Sequence, residues 1–400
     1  MSRPLLLTVF GAVPLLMALG AAPAAAAPIY PAPDPDPFFS APADIAAHAP
    51  GEVLATRPMP PIFGFPGIGV TLVKFRSTNS TGGPIAATTT VLRPPNAAPG
   101  GPLLSYQHII NGLGTKCAVS HILYTKDPNL VVREAPVLNA LLWRGWTISL
   151  PDHLGPNFAY GAAKLGGLIT LDSIRAVQHA PELKLATSPV AMMGYSGGGM
   201  ATSWAAALQS RYAPELRMVG AAVGGVPMNL VKMIEGLGYQ HHPAFGLAMA
   251  AAIGLEREYP SKLPVSNSMN AAGLALRNSM ANGCTNDILV AGAGHAVTDF
   301  ARSYSLLNDR GAREVVEENS LELFDGIPTI PLFEWHSPKD ALIPVDAITH
   351  TMDHYCAAGV PVQTQLFPTP DHLTTAVLGA PFAVGWIDAR FRGEPAPSTC

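Results

Sequence analysis

The chain has 400 residues, of which 48% are hydrophobic and only 13% carry a formal charge, and its formal net charge at pH 7 is −4. Nucleic-acid binding is excluded because it needs clustered Lys and Arg, and the sequence has no basic patch. No C-x-x-C motif occurs, and the adjacent His241 and His242 would point in different directions on a helix. We therefore predict no metal and no cofactor.

The chain begins with the pattern of a secretory signal peptide over residues 1–27. Arg3 gives the first residues a positive charge, Leu5 to Leu19 form an apolar run, and small residues follow up to Ala27. This order of charged, apolar and small residues is typical of a cleaved export signal. The alternative is an uncleaved membrane anchor. We predict a secreted, extracellular protein, and association with the cell envelope stays open.

Four cysteines follow the predicted signal, at Cys117, Cys284, Cys356 and Cys400. Because an exported protein enters an oxidising compartment, an even number of cysteines predicts two disulfides. From the residues alone, three pairings are open.

The first half of the chain indicates a proline-rich N-terminal arm over 28–66, followed by the first part of an α/β core over 67–227. Apolar and alternating segments predict strands, and a helix with leucines at helical spacing is predicted from Gly161 to His179. With the later strands, this predicts an eight-stranded, mostly parallel sheet. The strands predicted before this helix are Val70 to Phe75, Ile85 to Leu92, Pro102 to Gln107 and Thr147 to Leu150.

The pentapeptide from Gly194 to Gly198, Gly-Tyr-Ser-Gly-Gly, is the most informative motif. A buried strand is predicted before it and an Ala-rich helix after it, which is the context of a nucleophile elbow. Such a turn strains the serine backbone, so its neighbours must be small. Ser196 is therefore the predicted nucleophile. The alternative is a glycine-rich turn in which the serine takes no part in catalysis.

About 100 residues separate the strand predicted to end at Val226 from the one predicted to start at Thr329, which is too long for a simple crossover. We interpret 228–326 as a helical cap inserted over the active site. Its apolar residues are expected to be mostly core, and some of them to line a tunnel for an acyl chain. The candidates are Met228, Met233, Met249, Leu255, Met269 and Met280.

The remaining residues, 327–400, are predicted to complete the core and to supply the acid and the base. Asp340 follows the strand predicted over 329–335, and His372 follows the strand predicted over 362–367. In chain order the nucleophile, the acid and the histidine match the order of a nucleophile-elbow enzyme. Competing acids are Asp371 and Glu334, and the other histidines nearby are His336, His350 and His354.

Taken together, these motifs resemble the secretory lipase family. The resemblance rests on Tyr195-Ser196-Gly197-Gly198, on the Asp340 loop and on Pro370-Asp371-His372-Leu373-Thr374, and it extends to Ser105-Tyr106-Gln107 and Asp152-His153. It implies an α/β-hydrolase fold, with a mostly parallel central sheet and an inserted helical cap or lid.

The resemblance also implies details of the site. The oxyanion hole would use the backbone N–H of Gly197 and a residue after the Ser-Tyr-Gln strand, here Asn111. A member of the family has an aspartate at that position, but Asn can still donate from its backbone and side chain. The implied disulfides are Cys117–Cys284 and Cys356–Cys400.

The predicted function is that of a secreted serine carboxylic-ester hydrolase, in the first place a triacylglycerol lipase acting through an acyl-enzyme. A short-chain carboxylesterase or an acyltransferase is the alternative, because the same triad serves water and alcohols. A non-catalytic binding protein on a hydrolase scaffold is the alternative from another class. The expected ligand is a lipid or another ester, with transient contact between the cap and a lipid interface. Neither a nucleic acid nor an obligate protein partner is expected.

Overall fold

The computed structural model describes residues 26–303, 305–369 and 371–400. The predicted signal peptide, 1–27, lies outside the described residues except for its last two positions. Among the described residues, no helix is both long enough and apolar enough to cross a membrane.

One sheet forms the centre of the molecule, and in the described part of the chain it has nine strands. β1, β2, β3 and β5 pair antiparallel in that order, and every other pairing is parallel. The spatial order is β1-β2-β3-β5-β4-β6-β7-β8-β9. The strands are β1 Val53–Met59, β2 Gly69–Thr78, β3 Pro84–Arg93, β4 Leu103–Gln107, β5 Thr147–Pro151, β6 Val190–Tyr195, β7 Met218–Gly224, β8 Leu332–His336 and β9 Val362–Leu366.

The prediction of a mostly parallel α/β sheet is confirmed, but the expected count of eight strands is wrong. The additional strand is β1, which lies inside the predicted proline-rich arm. Pro58 lies within this strand, although proline cannot donate to a ladder. β1 is the outermost strand and pairs only with β2, and an edge strand tolerates proline.

Helices cover both faces of the sheet. Residues of α3, α4 and α11 share one apolar core, including Ile174, Trp204 and Ile348. α2 and α12 contribute Leu138 and Trp386 to the core on the other face. The α-helices are α1 Val119–Ile122, α2 Ala135–Trp143, α3 Ala163–His179, α4 Gly197–Tyr212, α5 Leu230–Gly238, α6 Phe245–Glu258, α7 Ala271–Met280, α8 Thr285–Gly292, α9 Val297–Phe300, α10 Arg310–Glu318, α11 Val345–Ala357 and α12 His372–Phe391.

The connection between β7 and β8 contains α5 to α10 and is called here the helical insertion, residues 228–326. It has an apolar core of its own, which includes Phe245, Ile253 and Ile288. The sequence suggested that His241 and His242 lie on a helix, but they lie in the connection between α5 and α6. There the backbone of His242 forms an isolated antiparallel β-bridge with His295.

Two disulfides join distant parts of the chain. Cys117, in the segment before α1, is bonded to Cys284 at the start of α8, with 167 residues of separation. Cys356, near the end of α11, is bonded to Cys400. These are the pairs that the family resemblance implied. The first bond anchors the helical insertion to the loop region after β4.

Candidate active site

Ser196 lies in the sharp turn between β6 and α4. Its φ is 53° and its ψ is −121°, a conformation that non-glycine residues rarely adopt and that indicates stored backbone strain. The neighbouring glycines allow the close packing that holds this turn. A Cβ on Gly198 would lie 2.0 Å from the carbonyl oxygen of Gln107, and one on Gly194 would lie 2.5 Å from Thr202 Oγ1. The elbow therefore packs closely against α4 on one side and the end of β4 on the other.

Asp340 and His372 are brought together by the loops after β8 and β9. His372 Nδ1 and Asp340 Oδ2 are 2.6 Å apart. The other carboxylate oxygen, Asp340 Oδ1, accepts the backbone N–H groups of Leu342 and Ile343 at 2.9 and 3.1 Å. Burial by itself would raise the pKa of Asp340, but the hydrogen bond from His372, the charge of His372 and the two N–H groups hold the pKa below its usual value. The carboxylate is thus kept ionised beside the imidazole.

The same histidine lies against the elbow. The Ser196 N–H donates to the Gly224 carbonyl at 2.8 Å. The next residue, Gly225, lies against His372, because a Cβ built on Gly225 would be 2.9 Å from His372 Cε1. The Tyr195 ring lies 4.9 Å from the His372 ring, and the Tyr195 hydroxyl donates to the His372 carbonyl at 2.6 Å. The other ring nitrogen, His372 Nε2, is buried and has no protein hydrogen-bond partner among the described residues. A proton acceptor is therefore available next to the serine turn.

The competing groups have other partners. Glu334 lies in β8, and both of its oxygens are 2.9 Å from Nδ1 of the buried His336. Asp371 caps α12, and its Oδ2 accepts the Thr374 N–H at 2.6 Å. His350 and His354 both lie on α11. The Nδ1 of His350 is 2.9 Å from Glu322 Oε1. Among the acids considered from the sequence, Asp340 is the one that contacts the His372 ring.

Asn111 and Gly197 face each other across the elbow. A Cβ on Gly197 would lie 3.1 Å from Asn111 Oδ1 and 3.5 Å from the Ile110 carbonyl oxygen. Gly197 begins α4, and the first N–H groups of a helix have no partner within the helix. Asn111 and the free N–H end of α4 therefore lie side by side next to Ser196. We call residues 108–112, which contain the predicted oxyanion-hole residue Asn111, the oxyanion loop.

A buried carboxylate that was not among the residues predicted from the sequence anchors the oxyanion loop. Glu134 ends a π-helical turn over Asn129–Glu134 and forms a hydrogen bond with His108 Nδ1. Its Oε1 accepts the Ile109 N–H at 3.4 Å and pairs with Arg133 at 3.0 Å. Burial would raise the pKa of Glu134, but the charges and hydrogen bonds of His108 and Arg133 keep it below its ordinary value.

One signal in the sequence could have revealed Glu134. It lies in helical register with the buried Leu130, Leu138 and Leu141, so a carboxylate occupies a position in an apolar stripe. A buried charge needs a partner, and that partner is often functional.

His153 lies at the end of the same polar region, after β5. Both of its ring nitrogens are buried without a partner among the described residues. Burial, with help from the charge of His108, lowers the pKa of His153 to about 4. His153 is therefore neutral near pH 7.

An apolar cavity of about 330 Å³ lies within the helical insertion and reaches α4. Met200, one turn after Ser196, forms part of its wall, and the insertion supplies most of the rest. The insertion residues in contact with it include Leu230, Met233, Phe245, Met249 and Leu255. A cavity of this size and composition suits an extended apolar group.

Comparisons with known proteins show which family the chain resembles. The sequence model of the family described as secretory lipase matches residues 129–399. Lipase 10 of Candida albicans is 30% identical, over 92% of this chain and 83% of its own length. A Mycobacterium tuberculosis protein named as a probable inactive lipase is 31% identical, over 91% of this chain and 83% of its own. Among solved structures, Candida antarctica lipase A in its closed state superposes with a TM-score of 0.85 at 27% identity, covering 92% of this chain and 89% of that one.

Proposed function

Because the chain belongs to the secretory lipase family, we propose that it is a carboxylic-ester hydrolase in which Ser196, His372 and Asp340 form a catalytic triad. The observation that carries this proposal is the 2.6 Å contact between Asp340 and His372 directly beside the strained serine turn. We further propose that Gly197 and Asn111 form the oxyanion hole.

In this mechanism Ser196 Oγ attacks the ester carbonyl carbon while His372 Nε2 accepts its proton. The ionised Asp340 holds the imidazole in the required tautomer and stabilises the imidazolium. The N–H of Gly197 and a donor from Asn111 stabilise the negative charge on the carbonyl oxygen. His372 then protonates the departing alcohol, which leaves an acyl-enzyme, and water releases the acid by the same steps.

The apolar cavity supports a fatty acyl group as the substrate moiety. We propose that residues 228–326 act as the cap and that the cavity holds the acyl chain, with Met200 at the end nearest the serine. Triacylglycerol is the substrate that best fits this arrangement. A short-chain esterase would need the same triad but would gain little from a cavity that extends through the insertion. An acyltransferase would differ in the acceptor, because an alcohol instead of water would release the acyl group.

A hydrolysis profile tests this proposal. Rates are measured on p-nitrophenyl esters of increasing acyl length and on emulsified triacylglycerol, with Ser196→Ala as the control for background hydrolysis. We expect kcat/KM to rise with chain length until the cavity is filled. A profile that is highest for acetate would favour the esterase.

The second candidate is a non-catalytic binding protein, favoured by the relative named as a probable inactive lipase. A fluorophosphonate probe separates the two functions, because it labels only a serine that is activated by its base. Labelling at Ser196 supports the enzyme. A native protein that neither reacts with the probe nor hydrolyses any ester would support the binding protein.

We also propose that the protein is secreted after cleavage of residues 1–27. The support is the pattern of the N-terminal sequence and the description of the family as secretory. N-terminal sequencing of protein from the culture medium tests this, and a product that retains Met1 would contradict it.

A further inference from the structure

The outward face of α12 is apolar. Between residues 373 and 385, seven positions are exposed at helical spacing. A surface helix normally turns its polar and charged residues outward, and a helix that is apolar all round is usually covered. The apolar members of this set are called the α12 face; they are Leu373, Val377, Leu378, Pro381 and Phe382.

The side chains of this face are open to solvent. The exposed fractions are 44% for Leu373, 54% for Val377, 50% for Leu378 and 52% for Phe382. The ring of Phe382 also packs against Phe367, just after β9, with 5.4 Å between ring centroids. The exposed apolar face is therefore formed by α12 itself.

The segment that forms this face is almost free of charge. From Ala358 to Ile387, Asp371 is the only Asp, Glu, Lys or Arg. Its carboxylate is occupied by the N–H and hydroxyl of Thr374 in its own helix cap. Since the segment offers no cation to an anionic ligand, the α12 face suits an uncharged surface.

The size of the face argues against a stable protein partner. Five side chains that are about half exposed present only a few hundred Å² of apolar surface, whereas each partner in a stable protein complex buries about 800 Å². A lipid interface needs no matched shape, and binding to it scales with the apolar area that is buried.

The position of the face ties it to the proposed reaction. α12 begins at His372, so Leu373, at one end of the face, is the chain neighbour of the proposed catalytic base. We propose that the α12 face docks the protein on the surface of an uncharged lipid aggregate. This inference rests on the proposed ester-hydrolase function and places the lipid contact on the core, whereas the sequence analysis expected it through the cap.

Binding of the protein to lipid droplets tests the docking separately from ester hydrolysis. Triolein droplets coated with phosphatidylcholine are mixed with the Ser196→Ala protein, with and without Val377→Gln/Leu378→Gln, and the bound fraction is measured by flotation. Both positions are exposed on a helix, where Gln is well tolerated. The matched control is Val290→Gln, since Val290 is 79% exposed on α8 in the helical insertion.

We expect the double variant to lower the partition coefficient by about tenfold or more, because two apolar side chains no longer gain from burial in lipid. The control should stay within about twofold, and with Ser196 intact the double variant should hydrolyse a dissolved acetate ester at the native rate within about twofold. Unchanged partition of the double variant, or an equal loss in the control, would overturn the inference.

Sedimentation velocity provides a second way to refute the inference. A native dimer that the double variant converts to monomer would identify a second copy of the chain as the occupant. If native protein hydrolyses no dissolved ester but the Ser196→Ala protein still partitions through the α12 face, the proposed function fails and the docking stands.

Discussion

Glu134→Gln is expected to damage catalysis from a position outside the triad. The native carboxylate is buried, forms a hydrogen bond with His108 Nδ1, accepts the Ile109 N–H and pairs with Arg133. Gln keeps the shape of the side chain and can still accept one N–H, but it removes the negative charge. Because His108 and Ile109 begin the oxyanion loop, we expect Asn111 to lose its fixed position relative to Gly197.

The expected losses in stability and in kcat follow from the usual effects of breaking a buried ion pair and of removing an oxyanion-hole donor. Removing one partner of a buried ion pair costs about 3–5 kcal/mol, and since Gln retains part of the hydrogen bonding, we expect a loss of about 2 kcal/mol in the free energy of unfolding. Deleting an oxyanion-hole donor lowers kcat about 10²–10³-fold, so displacing one should lower kcat about tenfold with little change in KM.

The pH dependence of stability gives a separate signature. The pKa of Glu134 is held below its ordinary value of 4.5 in the folded protein. The ionised carboxylate therefore stabilises the fold above that pH, and this contribution is lost as the pH falls through the folded-state pKa. The difference in unfolding free energy between native protein and Glu134→Gln should narrow as the pH falls below 4.5.

The assay combines kcat and KM on a dissolved ester with urea unfolding at several pH values. Glu182→Gln is the matched control, because Glu182 is exposed on the surface. If kcat of Glu134→Gln lies within about twofold of the control, and the stability difference does not change with pH, then Glu134 does not position the oxyanion loop.

Three further predictions concern the triad and the first disulfide. Ser196→Ala should abolish ester hydrolysis and probe labelling while the protein stays folded, with a loss of about 10⁴-fold or more in kcat; near-native turnover in a folded variant would exclude Ser196 as nucleophile. Asp340→Asn should lower kcat by a similar factor because it presents the wrong hydrogen bond to His372, and full activity in this variant, with loss in Glu334→Gln, would reassign the acid. Cys284→Ser removes the disulfide to Cys117, which links residues 167 positions apart, and this should lower the free energy of unfolding by up to about 4–5 kcal/mol. We also expect activity on long-chain esters to fall more than activity on short-chain esters. An equal loss on both would contradict coupling between the helical insertion and the site.

The sequence by itself determined the elements that depend on local order. The elbow could be recognised because strand, tight turn and helix follow one another within a few residues, and only small neighbours permit the strained serine. The positions of Asp340 and His372 could be predicted because each follows an apolar strand, and parallel strands bring their carboxyl ends to one edge of the sheet. The family and the mostly parallel α/β fold followed from these motifs and are confirmed by the comparisons.

Only the tertiary structure decided what depends on contacts between distant segments. β1 is a strand in spite of Pro58, because its place at the edge of the sheet removes the cost of the missing donor. Glu134 anchors the oxyanion loop because packing brings it to His108, 26 residues away, and no local pattern specifies that contact. The sequence shows that the segment around α12 is nearly uncharged, but only the packing of Trp386 and Ile387 into the core determines which apolar residues are left facing outward.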